Sequence, residues 1–528
     1  MAVTLRPLFE IVGLVTALGF VFLSGFIPHL DTASDPLPGT DPSLVALGRG
    51  GAEFATDERP GYPYALHVDE HVHWARMAQM QRQDTAVADH PYTGSADPEV
   101  FRLRGTVHEE GYLVVLSQVQ ELTGVSWLRF YQIMPAAWLA FTAFCVYAAL
   151  RPHAAALPAA AFVGLVPTTI RFLGPAFLVP IGFSLAWLPV VVILADPARR
   201  RFGSAVLLGV VLAWTFFVHL VAGFAAVALV ALYGLAGGWR DARGFLALAG
   251  LALLPVGWLW RSFTADVSHE IAKQESLPID VWVFFSFGAL AMLAWAAGLM
   301  WMAWRPPSAA RRELATFALG SVVFLSLIVG SLVFDLNRYA TYARWHPVFF
   351  LCAAVGVGFF VARVARLVPS LVSRVARAPA RGPAVASGVF GVVLVGLLLS
   401  PGVAAHLNEP YYRVVDHEEW RAFHWVERNL GPEYEVFLAE PWGAPVLAAV
   451  SGRLPHAYLL PGSPPVNGVD WSAYEAGRLD LAFFVENDIT FVVGPVHPGP
   501  EEFSEVAPNV WALDPAVAKR IAEVRAAS

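Results

Sequence analysis

The densest group of side chains able to do chemistry lies in the string HVDEHVHWARMAQM, where His67, Asp69, Glu70, His71 and His73 follow one another closely. One reading is a solvated helix start, with the carboxylates facing the positive end of the helix dipole and the histidines on a wet face. The string also matches H-x-x-E-H, in which two histidines one helical turn apart hold zinc and the glutamate activates water. Arg338 and Arg344 stand in LNRYATYARWHP at the edge of an apolar run. A guanidinium there either snorkels to the headgroups or grips a lipid phosphate through two hydrogen bonds. His219 separates the apolar runs WTFFV and LVAGF; an ionisable group at membrane depth is a site candidate, the alternative being a helix-turn residue bonded to backbone. Asp266, His269 and Glu270 form a further polar group, either solvated or open to a metal or acceptor.

The frame that must hold these residues is a membrane protein. Of 528 residues, 57% are apolar and 15% charged, against roughly 25% charged in a soluble domain, which excludes a soluble enzyme of the usual kind. A net charge of -7 with no concentrated basic surface excludes a nucleic-acid partner. Cys145 and Cys352 both lie in apolar runs, so no disulfide framework or thiolate cluster faces water. A hydrocarbon core about 30 Å thick takes roughly 20 apolar helical residues to cross. Eleven such stretches are read, near 8–28, 130–150, 154–173, 176–195, 203–218, 220–237, 244–262, 280–303, 314–334, 346–363 and 385–402.

Positive charge sets orientation, because Lys and Arg near span ends resist translocation. With the N-terminus inside, the cytoplasmic segments hold 15 arginines, including Arg199 to Arg201 and Arg363 to Arg381. The short external segments hold only Arg171, Arg261, Lys273, Arg338 and Arg344. This places the chain in the cell membrane with the N-terminus cytoplasmic and with loop 29–129 and residues 403–528 external. Arg6, an apolar stretch and small residues near Ala33 also fit a cleaved signal peptide, which leaves the rest of the topology unchanged.

The external loop opens as a Pro/Gly/Asp-rich connection and continues into a helix over 69–83, free of Gly and Pro. Residues 111–123 form an amphipathic piece too short to span, suited to lying in the interface. Residues 403–528 alternate helices with strands: EEWRAFHWVERNL, EYEVFLAE, GAPVLAAV, ITFVVG and PAVAKRIAEVRAA. The reading is therefore a membrane all-α domain over 1–402, including loop 29–129, with about eleven transmembrane helices, followed by a small external α/β domain over 403–528. No Gly-rich phosphate fingerprint supports a nucleotide site.

This arrangement resembles the C-type (GT-C) membrane glycosyltransferases, which include protein mannosyltransferases, the lipid A aminoarabinose transferase and the catalytic subunits of oligosaccharyltransferases. In that superfamily an acidic residue or pair in the first external loop is central to catalysis, and Asp69 and Glu70 match it. GYLVVLSQVQELTGVSWLRFYQIMP is similar to the family's interfacial helix, Gly-x-Ser turn, Arg and early Pro. FFVHLVAG looks like the family histidine near the outer edge, and NRYATYARWHPVFF like the segment whose Arg contacts the donor phosphate. The WWDYG motif of oligosaccharyltransferases is absent; the nearest text is GVDWSAYEAG, and HEE precedes Gly111 where relatives carry a Pro-rich string.

The resemblance implies cell-envelope glycosylation from a polyprenyl-phosphate-linked sugar, with a protein, lipid or glycan acceptor and membrane lipids as partners. Displacement at the anomeric carbon needs a carboxylate for the incoming hydroxyl and positive charge on the departing phosphate. Asp69 with Glu70 takes the first role, and Arg338 with Arg344 or His219 the second. A divalent ion, Mg, Mn or Zn, would find ligands in Asp69, Glu70, His71 and His73. One displacement inverts the configuration. The competing readings are a lipid or glycan transporter or flippase, for which no internal repeat speaks, and a non-catalytic assembly subunit. The topology is tested by labelling intact cells with a membrane-impermeant maleimide: Ser472→Cys is expected to react and Ser308→Cys to stay unlabelled, and the opposite pattern overturns the orientation.

Overall fold

The structure is a computed structural model, and it describes residues 2–29, 68–83, 110–168, 174–238, 244–245, 282–304, 312–333, 342–376, 382–408, 417–431, 434–439, 443–457, 468–517 and 519–520. The chain divides into two compact units. Met1–Ala33, Val107–Tyr112 and Tyr131–Pro410 make the first; Ser34–Thr106, Leu113–Phe130 and Tyr411–Ser528 make the second. Of loop 29–129, the described residues 68–83 and 113–129 fall in the second unit and 110–112 in the first.

The first unit is a bundle of apolar helices and makes this a multi-pass membrane protein. Among the described residues six helices are long and apolar enough to cross a membrane: Leu8–Phe26, Trp127–Leu150, Pro180–Ala198, Arg312–Ser331, Arg344–Leu367 and Gly388–Leu407. Phe202–Val218, Leu220–Ala236 and Ala289–Trp304 are shorter apolar helices. The span expected at 244–262 lies, apart from its first two residues, outside the described residues. Two expected spans are broken instead of continuous. Among the described residues of the stretch 154–173, only Ala156–Val163 form a helix; Gly164 and Pro167 follow it and the chain leaves helical geometry there. The stretch 280–303 is interrupted between Trp282–Ser286 and Ala289–Trp304 at Gly288, whose φ is +101°.

The helix Tyr342–Ala376 is central, since every residue from Val348 to Val355 is 0% exposed. The share of its span that is buried is 72%, against 22% for the first span and 17% for the last, which places those two at the rim. A Cβ on Gly358 would come within 2.6 Å of the Ala159 backbone nitrogen, so only glycine lets these helices approach. The first helix and Trp127–Leu150 run antiparallel: Gly25 meets Ala136 and Leu139, while Tyr147 donates to Glu10 at the other end. That second end also carries the His153–Glu313 pair at 3.3 Å.

The second unit contains the helices Val68–Gln83 and His417–Asn429 and a five-stranded sheet in the order β2-β1-β3-β5-β4. β1 (Glu435–Leu438) pairs in parallel with β2 (Leu454–Pro455) and β3 (Phe491–Val493). β4 (Phe503–Ala507) and β5 (Val510–Leu513) add an antiparallel hairpin, whose turn residue Asn509 has φ +62°. Phe437, Phe484, Ile489, Val492 and Phe503 form its core. The elements expected over 418–430, 433–440, 443–450 and 489–494 are present as His417–Asn429, Glu435–Leu438, Ala444–Ser451 and Phe491–Val493; the hairpin and the helices Gly468–Glu475 and Leu481–Glu486 are additions. Most of the last expected helix lies outside the described residues.

Gly288→Ala is expected to destabilise by roughly 1–2 kcal/mol, since a Cβ is strained at that φ, and to lower the melting temperature in detergent. Gly19→Ala, with nothing within 4 Å of the new methyl, is expected to leave it unchanged.

Candidate active site

The helix Val68–Gln83 carries the acidic pair and begins where the sequence places it. It lacks Gly and Pro, is rich in Ala, Met, Gln and Arg, and has Asp69 and Glu70 in its first turn, where carboxylates favour a helix start. Glu70 and His71 are 0% exposed and His73 and Arg76 7%, so the wet-face reading of these histidines does not hold. The side chain of Asp69, and His67 entirely, lie outside the described residues. A carboxylate buried this completely is expensive unless paired or functional.

Helical geometry separates the group. At about 100° per residue, Glu70 and His73 share one side of the helix, whereas His71 falls roughly opposite His73. His71 stacks on Trp74 at 6.0 Å, and Trp74 meets Trp420 at 6.2 Å. His71 therefore faces away from His73, beside Trp74. Among the described residues no group of three or more His, Cys, Asp or Glu side chains converges as a metal site. The first histidine of the zinc motif, His67, is not among the described residues.

The far end of the acidic helix is held from two directions. Gln81 donates to the Ser117 carbonyl at 3.1 Å and to Gln120 Oε1 at 2.6 Å, both on the helix Glu110–Thr123. Arg82 donates to the carbonyls of Ala448, Ala449 and Val450 at 3.4, 3.1 and 3.5 Å. These are the last carbonyls of the helix Ala444–Ser451, at its negative end. Desolvation lowers the pKa of Arg82, Glu427 opposes that shift and Arg453 adds to it. Arg453 in turn donates to the Leu430 carbonyl at 3.0 Å, just past His417–Asn429.

In the first unit, His219 joins the helices Phe202–Val218 and Leu220–Ala236 and is 7% exposed. Its Nδ1 accepts from the Ala222 amide at 3.4 Å, which makes it an N-cap. The helix-turn alternative thus describes what this nitrogen does. Arg344 lies half-buried in the first turn of Tyr342–Ala376, while Arg338, Asp266, His269 and Glu270 fall outside the described residues. Sequence reasoning passed over three more buried histidines, His29, His346 and His406, which are 6%, 1% and 7% exposed. His29 Nε2 lies 2.8 Å from the Ala176 carbonyl, and His346 packs edge-on to Phe284 at 5.5 Å. The rule that singles out His219, an ionisable group at membrane depth, applies equally to these. Tyr112 was missed as well: it lies in the first turn of the helix Glu110–Thr123 and donates to the Leu178 carbonyl.

No protein-family model matches the chain, and no curated protein matches it in sequence. Solved structures do. The oligosaccharyltransferase AglB of Archaeoglobus fulgidus, in complex with an inhibitory peptide and a dolichol-phosphate, superposes with a TM-score of 0.54 at 12% identity, over 92% of this chain and 69% of that one. The A. fulgidus oligosaccharyltransferase in complex with Zn and sulfate gives 0.53 at 12% identity over 90% and 67%. The arabinofuranosyltransferase AftD from Mycobacteria gives 0.52 at 15% identity, over 95% of this chain but 40% of that one. At such identities the likeness is one of fold: the chain has the GT-C fold of membrane glycosyltransferases.

His219→Ala is expected to cost about 1 kcal/mol as a lost N-cap and His219→Asn close to nothing. Chemical denaturation in detergent measures both, and equal losses would show that the ring does more than cap.

Proposed function

We propose that the protein transfers a glycosyl group from a polyprenyl-phosphate-linked donor to an acceptor at the external face of the membrane, by a single inverting displacement. The observation that supports this most is Glu70, a carboxylate 0% exposed in the first turn of a helix in the first polar loop of a GT-C fold. That neighbours of the same fold were captured with dolichol-phosphate and acceptor peptide agrees with a lipid-linked donor.

In this reading the acceptor hydroxyl attacks the anomeric carbon and gives its proton to the Asp69 carboxylate. The bond from that carbon to the phosphate oxygen breaks, and its electron pair leaves with the lipid phosphate. Glu70 orients Asp69, or serves as a ligand beside it. Arg338 receives the phosphate charge with two parallel N–H donors, assisted by Arg344 or His219. Asp69, Glu70 and His73 would be a donor set that suits Mn or Zn, in keeping with the neighbour holding Zn. A divalent ion bound there would add Lewis-acid charge at the phosphate. The N-terminus lies in the cytoplasm and both polar segments lie outside.

The transporter reading gains one observation, the helix interruptions at 164–168, 174–179 and 287–288, since broken helices line substrate routes in transporters. One experiment separates the two. Purified protein in liposomes is given labelled polyprenyl-phosphate sugars and acceptors, as wild type, Asp69→Asn, Glu70→Gln and Arg338→Ala. Losses of roughly 100-fold or more are expected for Asp69→Asn and Arg338→Ala. Equal transfer by all four ends the catalytic assignment, and movement of labelled lipid across the bilayer without transfer establishes a flippase.

A further inference from the structure

We propose that Arg82 is a positioning residue: by gripping the end of the helix Ala444–Ser451, it lets the C-terminal residues set the angle and rotation of the helix that carries Asp69 and Glu70. This rests on the glycosyl-transfer reading. Arg82 lies twelve residues, about 18 Å along the axis, from Glu70, so it touches none of the reacting atoms.

A helix of 16 residues with polar composition is marginal alone and takes its position from what it packs against. Here the packing is against Ala444–Ser451, with Ala75 and Ala78 buried on one helix and Ala444, Ala448 and Ala449 on the other. Small side chains bring the two axes close but leave sliding and rotation weakly determined. The polar contacts at the far end remove that freedom. Adjacent residues project about 100° apart, and here Gln81 holds the helix Glu110–Thr123 while Arg82 holds the last carbonyls of Ala444–Ser451. Two grips at different angles fix the rotation of the helix, and rotation decides which of Asp69 and Glu70 faces the substrate. With Trp74 against Trp420 as pivot, a shift of about 1 Å at Arg82 becomes about 0.5 Å at Glu70. Displacements of that order matter to a reacting pair.

The receiving end is shaped for this contact. Gly452 ends its helix with φ +68°, and its amide bonds to the Ala448 carbonyl at 3.0 Å. A Cβ there would stand 2.5 Å from Arg82 Nη1 and 2.7 Å from its Cζ. Glycine therefore serves twice, in the left-handed cap and in the room it leaves for the guanidinium. The plain alternative is a surface arginine capping a helix end to modest effect, since the side chain as a whole is exposed.

The full chain in liposomes distinguishes these, using Arg82→Ala, Arg82→Lys and Gly452→Ala. Amide hydrogen exchange of 70–83 is expected to quicken in Arg82→Ala and Gly452→Ala, with exchange of Tyr342–Ala376 unchanged. In the transfer assay kcat is expected to fall about 10- to 100-fold, donor KM to stay within about 2-fold, and Arg82→Lys to recover part of the loss. Unchanged exchange in Arg82→Ala overturns the anchor. Faster exchange with full kcat, or a kcat loss accompanied by loosening of Tyr342–Ala376, overturns the positioning role. Should the wild type transfer nothing from any donor, the glycosyl-transfer reading fails and the positioning role with it, while the exchange data alone decide whether the anchor exists.

Discussion

Hydrocarbon offers a peptide group no hydrogen bond, so a chain that leaves helical geometry inside a membrane must find partners among its own side chains. The first unit does this after Gly164, where residues 164–168 and 174–179 are non-helical yet buried. Thr168 Oγ1 accepts from the Ala176 amide at 3.0 Å, and Trp138 Nε1 donates to the Phe183 carbonyl at 2.7 Å. The Ala176 carbonyl is met by His29 and the Leu178 carbonyl by Tyr112. His29 follows the first span and Tyr112 lies in the first turn of the helix Glu110–Thr123, and their side chains meet carbonyls two residues apart. The broken helix is what supplies those carbonyls; an unbroken one would have used them internally.

The second unit solves a different problem, that of holding a polar helix with little apolar surface. Its solution is to use the ends of other helices. Arg82 and Arg453 each satisfy carbonyls that a helix end leaves orphaned. Glu427 lies near Arg82 and also pairs with His424 at 2.8 Å, which tempers the repulsion between the two arginines. The sheet beneath is parallel at β2-β1-β3 and ends in the β3-β5-β4 hairpin arrangement, a mixed sheet on a small core.

Much of this was legible in the sequence wherever one signal dominated. Helix 68–83 was readable because nothing in DEHVHWARMAQMQRQ breaks a helix, and β3 because FVVG is a short apolar run before turn residues. The break after Val163 was signalled by Gly164 and Pro167, but mean apolarity over 154–173 outweighed them in a reading tuned to span length. The β4–β5 hairpin was hidden because its turn, Pro508-Asn509, depends on a left-handed asparagine and its strands are interrupted by an irregular register at Glu505 and Ala507. The site was legible as residue types and not as an arrangement. Burial of Glu70, His71 and His73 follows from tertiary packing on a helix whose composition reads as wet, and the grip of Arg82 spans more than 360 residues of sequence.

The segment GVDWSAYEAG, nearest in text to the acceptor-recognition motif of oligosaccharyltransferases, has here a task in packing. Asp470 pairs with the buried His456 at 3.1 Å, and His456 in turn stacks on Phe437. Trp471 donates to the Ala439 carbonyl at 3.0 Å, at the end of β1. The aspartate and indole N–H of the helix Gly468–Glu475 are thus engaged in packing within this unit. The sharing of fold at 12% identity with an oligosaccharyltransferase does not carry asparagine as the acceptor.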